Sequence, residues 1–446
     1  MKKRQFKKEG AHDVSEGKEM YALIARLFPL NRSLTGDGVR ETLRILQEYI
    51  PLTIHEVPTG TRVFDWTIPK EWNIRGGYIE KDGPSSTSGQ AKRIVDFADS
   101  NLHVVGYSTP INKKMPLEEL QKHLHSIPEM PDAIPYITSY YRESWGFCMT
   151  HRARKKLKKG EYHVVIDSEL KNGSLTYGEY IIPGETEKEI LFSTYICHPS
   201  MANNELSGPV IQAFIAKMLK SAPKRRYTYR FVFAPEAIGA ATYIAKNIDA
   251  LKRNVVAGFN LTCVGDERQY SYLPTRYGNT LTDRVIQSVL DFAHPKYKKW
   301  SFLDRGSDER QYCSPLVDLP VASLMRTKYA DYPEYHTSKD DLKLVSPNGL
   351  FGGYDAHIKC VELLERNRVY RATTPCEPQL GKRGLYETDA KTVNTPRTRA
   401  IVDLLAYADG TNDLLAISKI ISVPPWDLYP IIDRLLDEKL IEEIKN

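Results

Sequence analysis

The second half of the chain alternates continuous apolar runs with helix-forming segments, and this alternation constrains the fold more than any other feature. The apolar runs, which fit buried strands, are EILFSTYIC, YTYRFVFAPE, VVAGFNLTCVG and LPVASLMRT. The segments between them, LSGPVIQAFIAKMLKSA, IGAATYIAKNID and TLTDRVIQSVLDFA, carry apolar residues at helical spacing. Strands that alternate with helices predict an α/β fold in which a mixed sheet is flanked by helices.

Two segments with a different residue pattern accompany this core. Residues 54–182 contain short β-branched and aromatic stretches broken by Gly, Pro and Asn-Gly, which is typical of a small β-rich unit. Beyond residue 380 the pattern becomes helical and ends in a short apolar segment, as in a winged helix. Because 446 residues are too many for one core, we predict three domains. These are an α/β domain from residues 1–53 and 183–375, an inserted β-rich domain at 54–182, and a winged-helix-like domain at 380–446.

Composition and charge exclude several classes of protein. The net charge of +6, from 62 basic and 56 acidic side chains, is too mild to imply binding to nucleic acid or membranes. The six cysteines include no CxxC pair, and a reducing compartment fits them best. The basic N-terminal segment is followed by no apolar region of a secretory signal, and no apolar stretch is long enough to span a bilayer. We therefore expect a cytoplasmic protein with no membrane partner.

Polar side chains of one chemical kind follow the predicted strands. His198 and Asp266 come directly after the first and third apolar runs, Glu236 follows RFVFAP at the end of the second, and His336 lies in the loop after the fourth. Ligands of open α/β sheets bind outside the carboxyl ends of the strands, so these side chains are expected to meet at one edge. Imidazoles and carboxylates at one edge suit zinc, with one carboxylate left as a base.

The residues around these positions resemble a known family. The segments CHPSMANNELSGP, FAPEAIGA, TCVGD, GSDERQY and YPEYHTSKDDL are similar, in this order, to motifs of the zinc aminopeptidase clan. The similarity is greatest to a bacterial aminopeptidase-like group that has an inserted β-rich domain and a C-terminal winged-helix domain. This similarity covers essentially the whole chain. Its inserted and C-terminal domains agree with the changes of residue pattern described above.

This resemblance implies a role for each matching residue. His198, Asn204 and His336 would bind zinc, and Glu236 would be the general base for a metal-activated water. The implied reaction is hydrolysis of an amide or peptide bond in a small peptide or amide substrate.

Three acidic residues are candidates for substrate binding. Asp266 would hold a ligand histidine or a substrate amine, although a turn-forming aspartate explains it equally well. Asp308 and Glu309 occupy the place of a Ser-Asp-His segment in the clan and would face the cleft.

The sequence departs from the clan pattern at three positions. Asn204 replaces an aspartate ligand, Ala237 replaces a glutamate ligand, and Thr262 replaces another aspartate. Glu205 could substitute for the missing aspartate only if its loop turned. Because each loss removes one ligand and one negative charge, we expect one zinc ion rather than two.

Other interpretations remain open. Asn204 could cap a loop, and Glu236 could simply stabilise the N-terminus of a helix. The chain could then be a catalytically impaired relative that binds a small amide or peptide, or a DNA-binding regulator that senses a metabolite. The last is disfavoured because PPWDLYPIIDRLLDEK, the candidate recognition helix, has as many acidic as basic residues. The two appended domains are compatible with a homo-oligomer.

Overall fold

The structure is a computed structural model that describes residues 13–81, 93–140, 142–385 and 395–444. The N-terminal segment that we examined for a signal therefore lies almost entirely outside the described residues. The chain divides into two compact units, the first formed by residues 1–278 and 298–355 and the second by residues 279–297 and 356–446. No described helix is both long and apolar enough to cross a membrane.

The three segments between the apolar runs that were predicted from apolar spacing are all helices in the structure. In chain order the helices are α1 (Asp13–Leu27), α2 (Asp37–Gln47), α3 (Leu117–Leu120), α4 (His151–Lys155), α5 (Ser207–Ser221), α6 (Ile238–Asn254), α7 (Leu281–Ala293), α8 (Glu309–Tyr312), α9 (Pro347–Arg366), α10 (Pro396–Tyr407), α11 (Leu414–Ile421) and α12 (Pro425–Asp437). A capping box begins α7, because the side chains of Thr280 and Asp283 each accept a hydrogen bond from the other's backbone N–H.

The strands fall into one large sheet and several small ones. In chain order they are β1 (Thr53–Pro58), β2 (Arg62–Val63), β3 (Trp66–Thr67), β4 (Glu71–Lys81), β5 (Arg93–Asp96), β6 (Ile111–Pro116), β7 (Leu124–His125), β8 (Phe147–Cys148), β9 (Glu161–Lys171), β10 (Ser174–Ile182), β11 (Glu189–Tyr195), β12 (Thr228–Ala234), β13 (Val255–Leu261), β14 (Tyr270–Leu273), β15 (Tyr297–Lys299), β16 (Val321–Met325), β17 (Val369–Ala372), β18 (Asp409–Asp413) and β19 (Ile441–Glu443).

The large sheet confirms the predicted fold. Its strand order is β1-β10-β12-β11-β13-β16-β14-β15. The central strand β11 runs parallel to both β12 and β13, and β16 runs parallel to β13. Pairs toward the edges are antiparallel, so the sheet is mixed. Every residue of β11 is buried, as expected for a strand covered on both faces.

The predicted inserted segment contributes to two sheets. Strands β5, β4, β9 and β6 form a separate antiparallel sheet with its own apolar core, which includes Ile79, Met115 and Ile166. Strands β1 and β10, at the two ends of the segment, pair with each other in the large sheet. The part of the chain that leaves the large sheet is therefore shorter than residues 54–182.

The second unit contains the predicted C-terminal winged helix. Helices α10, α11 and α12 enclose an apolar core that includes Leu404, Leu414, Leu428 and Leu435. Strand β17 pairs antiparallel with both β18 and β19. Helix α7 also belongs to this unit, although the sequence pattern groups it with the α/β core.

Candidate active site

Two neighbouring parallel strands deliver the first two candidate residues. His198 follows β11 and Glu236 follows β12 after short turns. The distance from His198 Nε2 to Glu236 Oε2 is 3.7 Å. His198 is almost completely buried, whereas the Glu236 side chain is 22% exposed. The carboxylate is therefore the more accessible of the two groups.

His336 joins this pair from the loop after β16. The ring centroids of His198 and His336 are 5.3 Å apart. The Tyr335 ring stacks on the His336 ring at 3.8 Å, and the carbonyl oxygen of His336 accepts a hydrogen bond from the backbone N–H of Tyr136. His336 has a φ of 55°, in the left-handed region that non-glycine residues seldom adopt. Its Nε2 is buried and has no hydrogen-bond partner among the described residues.

Both imidazoles are neutral at ordinary pH. Burial lowers the pKa of His198 and of His336 to about 3. The Arg32 guanidinium further disfavours a positive charge on His198, and His198 does the same for His336. Neutral imidazole is the form that binds a metal ion.

A carboxylate fixes the orientation of His198. Its Nδ1 is 2.7 Å from Oε2 of Glu205, whose side chain is fully buried. Burial raises the pKa of Glu205 to about 8, while Arg32 and backbone N–H groups at Cys197 and His198 favour the ionised form. When Glu205 is ionised, Nδ1 carries the hydrogen and Nε2 keeps its lone pair. Histidine ligands in metal sites are commonly oriented by such a carboxylate.

Arg32 is a buried cation behind this carboxylate. Its side chain is 0% exposed, and its Nε lies 3.6 Å from Glu205 Oε1. The same Nε donates to the carbonyl oxygen of His198 at 3.0 Å, and Nη1 donates to that of Leu27 at 2.8 Å. Arg32 therefore binds both the backbone and the carboxylate that hold His198.

Glu236 lies on a strained turn. Its neighbour Ala237 has a φ of 59° and a ψ of −77°, a conformation that costs on the order of 1–3 kcal/mol. The Ala237 N–H donates to Asp308 Oδ1 at 2.7 Å, and the Glu236 N–H donates to Cys197 Sγ at 3.2 Å. Burial and the charge of Asp308 raise the pKa of Glu236, and burial raises the pKa of Asp308 to about 7.

Asn204 lies in a network of neutral groups. Its Nδ2 donates to the Tyr195 hydroxyl, which also hydrogen bonds to Thr262 Oγ1. Its backbone N–H donates to Asp340 Oδ2 at 3.0 Å. Its Oδ1 is buried and has no hydrogen-bond partner among the described residues. The side chain thus offers one buried acceptor atom to a ligand.

The structure does not bring Asp266 or Glu309 to the side chains described above. Asp266 accepts hydrogen bonds from the N–H and hydroxyl of Thr327 and from Asn203 Nδ2. Glu309 is fully buried and accepts from Tyr329, from Asn260 and from two backbone N–H groups of the preceding turn. Both carboxylates hold loops in place. Asp308, as described, contacts the turn of Glu236.

A cavity of about 590 Å³ opens in front of Glu236. Its lining includes His198, Glu236, Arg310 and His336 from the loops and the short helix that follow the strands. The lining also includes residues of the predicted inserted segment, which are Asp65, Trp66, Thr67, Pro69, Tyr136, Thr138 and Tyr140. The Tyr136 ring is 5.1 Å from that of His198 and 5.2 Å from that of His336. The inserted segment therefore bounds the space available to a ligand.

Sequence reasoning missed three residues of the site. Arg32 belongs to the connection between α1 and α2, where a single arginine has no spacing signal. Tyr136 comes from a segment whose position is set only by the tertiary fold. Glu205 was considered only as a replacement ligand, and the turn that brings it to His198 Nδ1 could not be seen in the sequence.

The site contains buried donor atoms of the kind that a metal ion satisfies. The unpartnered His336 Nε2 and Asn204 Oδ1 are buried acceptors of the kind that a cation satisfies. His198 Nε2 is a further neutral donor beside Glu236. Within the described part of the chain, one group of three Cys, His, Asp or Glu donor atoms lies within 4.8 Å, and it consists of Cys197, His198 and Glu205. The Arg32 guanidinium already supplies a positive charge to that group, so the Nε2 side of His198 is the better place for a metal.

Comparison with known proteins identifies the family and the fold. Residues 21–367 match the family described as a domain of unknown function, DUF4910, and residues 368–443 match a winged helix-turn-helix family. A protein of Clostridium acetobutylicum named "Putative polysaccharide biosynthesis protein with aminopeptidase-like domain" is 47% identical over 404 residues, 90% of this chain and 91% of that protein.

Solved structures confirm the aminopeptidase-like fold. The crystal structure of a "putative peptidase" from Clostridium acetobutylicum has a TM-score of 0.90 and 43% identity, and the match covers 97% of this chain and 98% of that one. BSAP, a zinc aminopeptidase from Bacillus subtilis, has a TM-score of 0.54 and 12% identity, with 78% of this chain and 94% of that chain covered. The predicted resemblance and the C-terminal winged helix are confirmed.

Proposed function

This chain belongs to the family of domains of unknown function DUF4910, and we propose that it is a metal-dependent hydrolase of amide or peptide bonds. The observation that carries the proposal is the position of Glu236. Its carboxylate is 22% exposed in a cavity and lies 3.7 Å from a neutral, carboxylate-oriented histidine. A second neutral histidine, His336, also lines this cavity.

Glu236 has the properties of a general base. A base is most effective when its pKa is near the working pH, and burial together with Asp308 raises that of Glu236. Arg310 has the opposite effect and favours the ionised carboxylate. The strained turn at Ala237, fastened to Asp308, fixes the direction of the side chain. Glu236 would accept the proton of the attacking water and hold it for the leaving nitrogen.

The residues that would hold a zinc ion are His198, His336 and Asn204. Zinc in such a site supplies Lewis-acid polarisation of the scissile carbonyl. The Glu205 carboxylate and Arg32 keep His198 Nε2 facing Glu236. Ala237 and Thr262 offer no carboxylate for a second ion, which supports one zinc.

The substrate is a small amide or peptide. The cavity of about 590 Å³ is walled by Trp66, Tyr136 and Tyr140 from the inserted segment, and an extended polypeptide would meet this wall. The Clostridium relative is named for polysaccharide biosynthesis, so the proposed substrates include acylated sugars as well as peptides. We also propose that the chain consists of the three predicted domains, which are an α/β domain, an inserted β-rich domain and a winged-helix-like domain.

Zinc content and turnover test the proposal together. Purified protein stripped with a chelator and then given zinc should regain hydrolysis of a panel of aminoacyl and N-acyl amides. Glu236→Gln should abolish turnover while metal binding, measured by elemental analysis, stays near the wild-type value. Substoichiometric zinc, together with no turnover after zinc is added, would refute the proposal that the protein is an enzyme.

The neutral network around Asn204 favours a second candidate, a relative that binds a small amide without turnover. Tyr195 hydrogen bonds to Asn204 and to Thr262, which stand where the clan has charged ligands. Saturable binding of an amide that is not hydrolysed with zinc present would support this candidate.

A further inference from the structure

One cation, Arg310, lines the cavity beside Glu236, and the proposed chemistry uses only its charge, not its hydrogen-bond donors. Among the described residues that line this cavity, Arg310 is the only lysine or arginine. Its side chain is exposed and makes no hydrogen bond or ion pair with the described residues. By contrast, the exposed Arg268 and the half-buried Arg276 form ion pairs with Glu334 and Asp318. Arg310 is therefore available to a ligand.

The backbone that carries Arg310 is held firmly in place. Glu309 accepts hydrogen bonds from the Gly306 and Ser307 N–H groups, from Asn260 and from Tyr329, which fastens the preceding turn to the sheet. A guanidinium on a fixed backbone binds with less loss of conformational freedom than one on a mobile loop.

The position of Arg310 relative to Glu236 limits where its ligand can lie. Arg310 is close enough to Glu236, Asp308 and Tyr335 to influence all three electrostatically. A group bound by Arg310 therefore lies next to the amide that would be attacked by the water from which Glu236 takes a proton. A guanidinium at that point attracts a carboxylate and repels a substrate ammonium.

We propose that Arg310 binds a carboxylate group of the substrate adjacent to the scissile amide, so that the protein acts on N-acylated acids rather than on free amino termini. This inference rests on the proposed function and specifies the substrate class. N-acyl amino acids and N-acyl amino sugars that carry a carboxylate share this chemistry. Asp65, from the inserted segment, is the other charged residue that lines the cavity besides Glu236 and Arg310, within the part of the chain that the structure describes.

Calorimetric titration of matched compounds tests the proposal. The probes are N-acetyl-L-phenylalanine against its neutral amide, N-acetylmuramic acid against N-acetylglucosamine, and L-phenylalaninamide as the free amine. At least one acid should bind about tenfold or more tightly than its neutral partner, because a charge-assisted hydrogen bond is formed. The acid that binds distinguishes the amino acid from the sugar source.

Variants assign the preference to Arg310. Arg310→Ala should remove the preference, whereas Arg305→Ala should keep it, because Arg305 is exposed on the preceding segment but does not line the cavity. Glu236→Gln should leave the preference intact or increase it, since a negative charge is removed. Equal binding of acid and neutral partner, tighter binding of the free amine, a preference that survives in Arg310→Ala, or failure of both acids to bind would overturn the proposal. An acid preference in a protein that hydrolyses nothing would refute the proposed function and leave the binding site standing.

Discussion

Replacing Arg32 with Met should destabilise the first unit by an amount that depends on pH. Arg32 and Glu205 are both 0% exposed, and the guanidinium is the cation beside that carboxylate. Methionine keeps much of the side-chain volume but supplies no charge and no donor. The change leaves Glu205 as an uncompensated buried carboxylate and removes the donor to the carbonyl oxygens of Leu27 and His198.

The expected cost follows from this geometry. At alkaline pH, where Glu205 is ionised, removing one partner of a buried ion pair costs about 3–5 kcal/mol, because the other charge stays buried. For a unit of this size, roughly 2 °C of melting temperature per kcal/mol gives a decrease of about 6–10 °C. Burial already raises the pKa of Glu205 to about 8, and loss of Arg32 raises it further. A carboxyl whose folded pKa is raised stabilises the protein below its ordinary pKa and loses that contribution as pH rises, so the variant should suffer more at alkaline pH.

Thermal unfolding at mildly acidic and at alkaline pH measures the effect. Arg26→Met is the matched control, because Arg26 pairs with Glu48 at the surface with 44% of each side chain exposed, and its melting temperature should be close to wild type. Arg32→Met/Glu205→Gln should recover part of the loss, since the uncompensated charge is gone. A decrease that is the same at both pH values, or a double variant no better than the sum of the singles, would refute the reasoning.

Three further predictions concern the site and its support. Asn204→Asp should bind zinc more tightly in calorimetric titration, because a carboxylate is a better ligand than an amide; weaker binding contradicts the assigned ligand. Gly208→Ala should lower the melting temperature, because a Cβ there would lie 2.4 Å from the carbonyl oxygen of Leu261, whereas Gly381→Ala meets no atom within 4 Å and should be tolerated. Burial raises the folded pKa of Asp308 to about 7, so its contribution to stability is lost as pH rises toward 7. In metal-free protein, Asp308→Asn should therefore gain stability relative to wild type as pH rises, and a constant difference in melting temperature would contradict this.

The sheet and its strand ends could be predicted because their signal is local. Strand β11, with EILFSTY, is a continuous apolar run that only a doubly covered strand explains. The polar residues that follow β11 and β12 meet because these strands are parallel neighbours. Because β11 and β12 are neighbouring parallel strands, the prediction and the structure both place His198 close to Glu236.

The support of the site could not be predicted because it depends on distant contacts. The turn that contains Asn203 and Asn204 is shaped by Asp340, which accepts hydrogen bonds from both backbone N–H groups. This turn points the Glu205 side chain at His198, and no sequence pattern near residue 205 predicts that orientation. The hydrogen bonds of Asp266 and Glu309 to loops show how a carboxylate near a strand end can be structural.

The burial of Arg32 has a consequence for how the protein is made. Its hydrogen bond to the carbonyl oxygen of His198 joins residues 166 positions apart, and Glu205 follows later still. At a synthesis rate of 5–20 residues per second, Arg32 waits roughly ten to thirty seconds on the ribosome before its partners exist. During that time the guanidinium stays hydrated, and the helices on either side of it cannot reach their final packing. Assembly of the cavity beside Glu236 is therefore a late step of folding that begins only after about half of the chain has been translated.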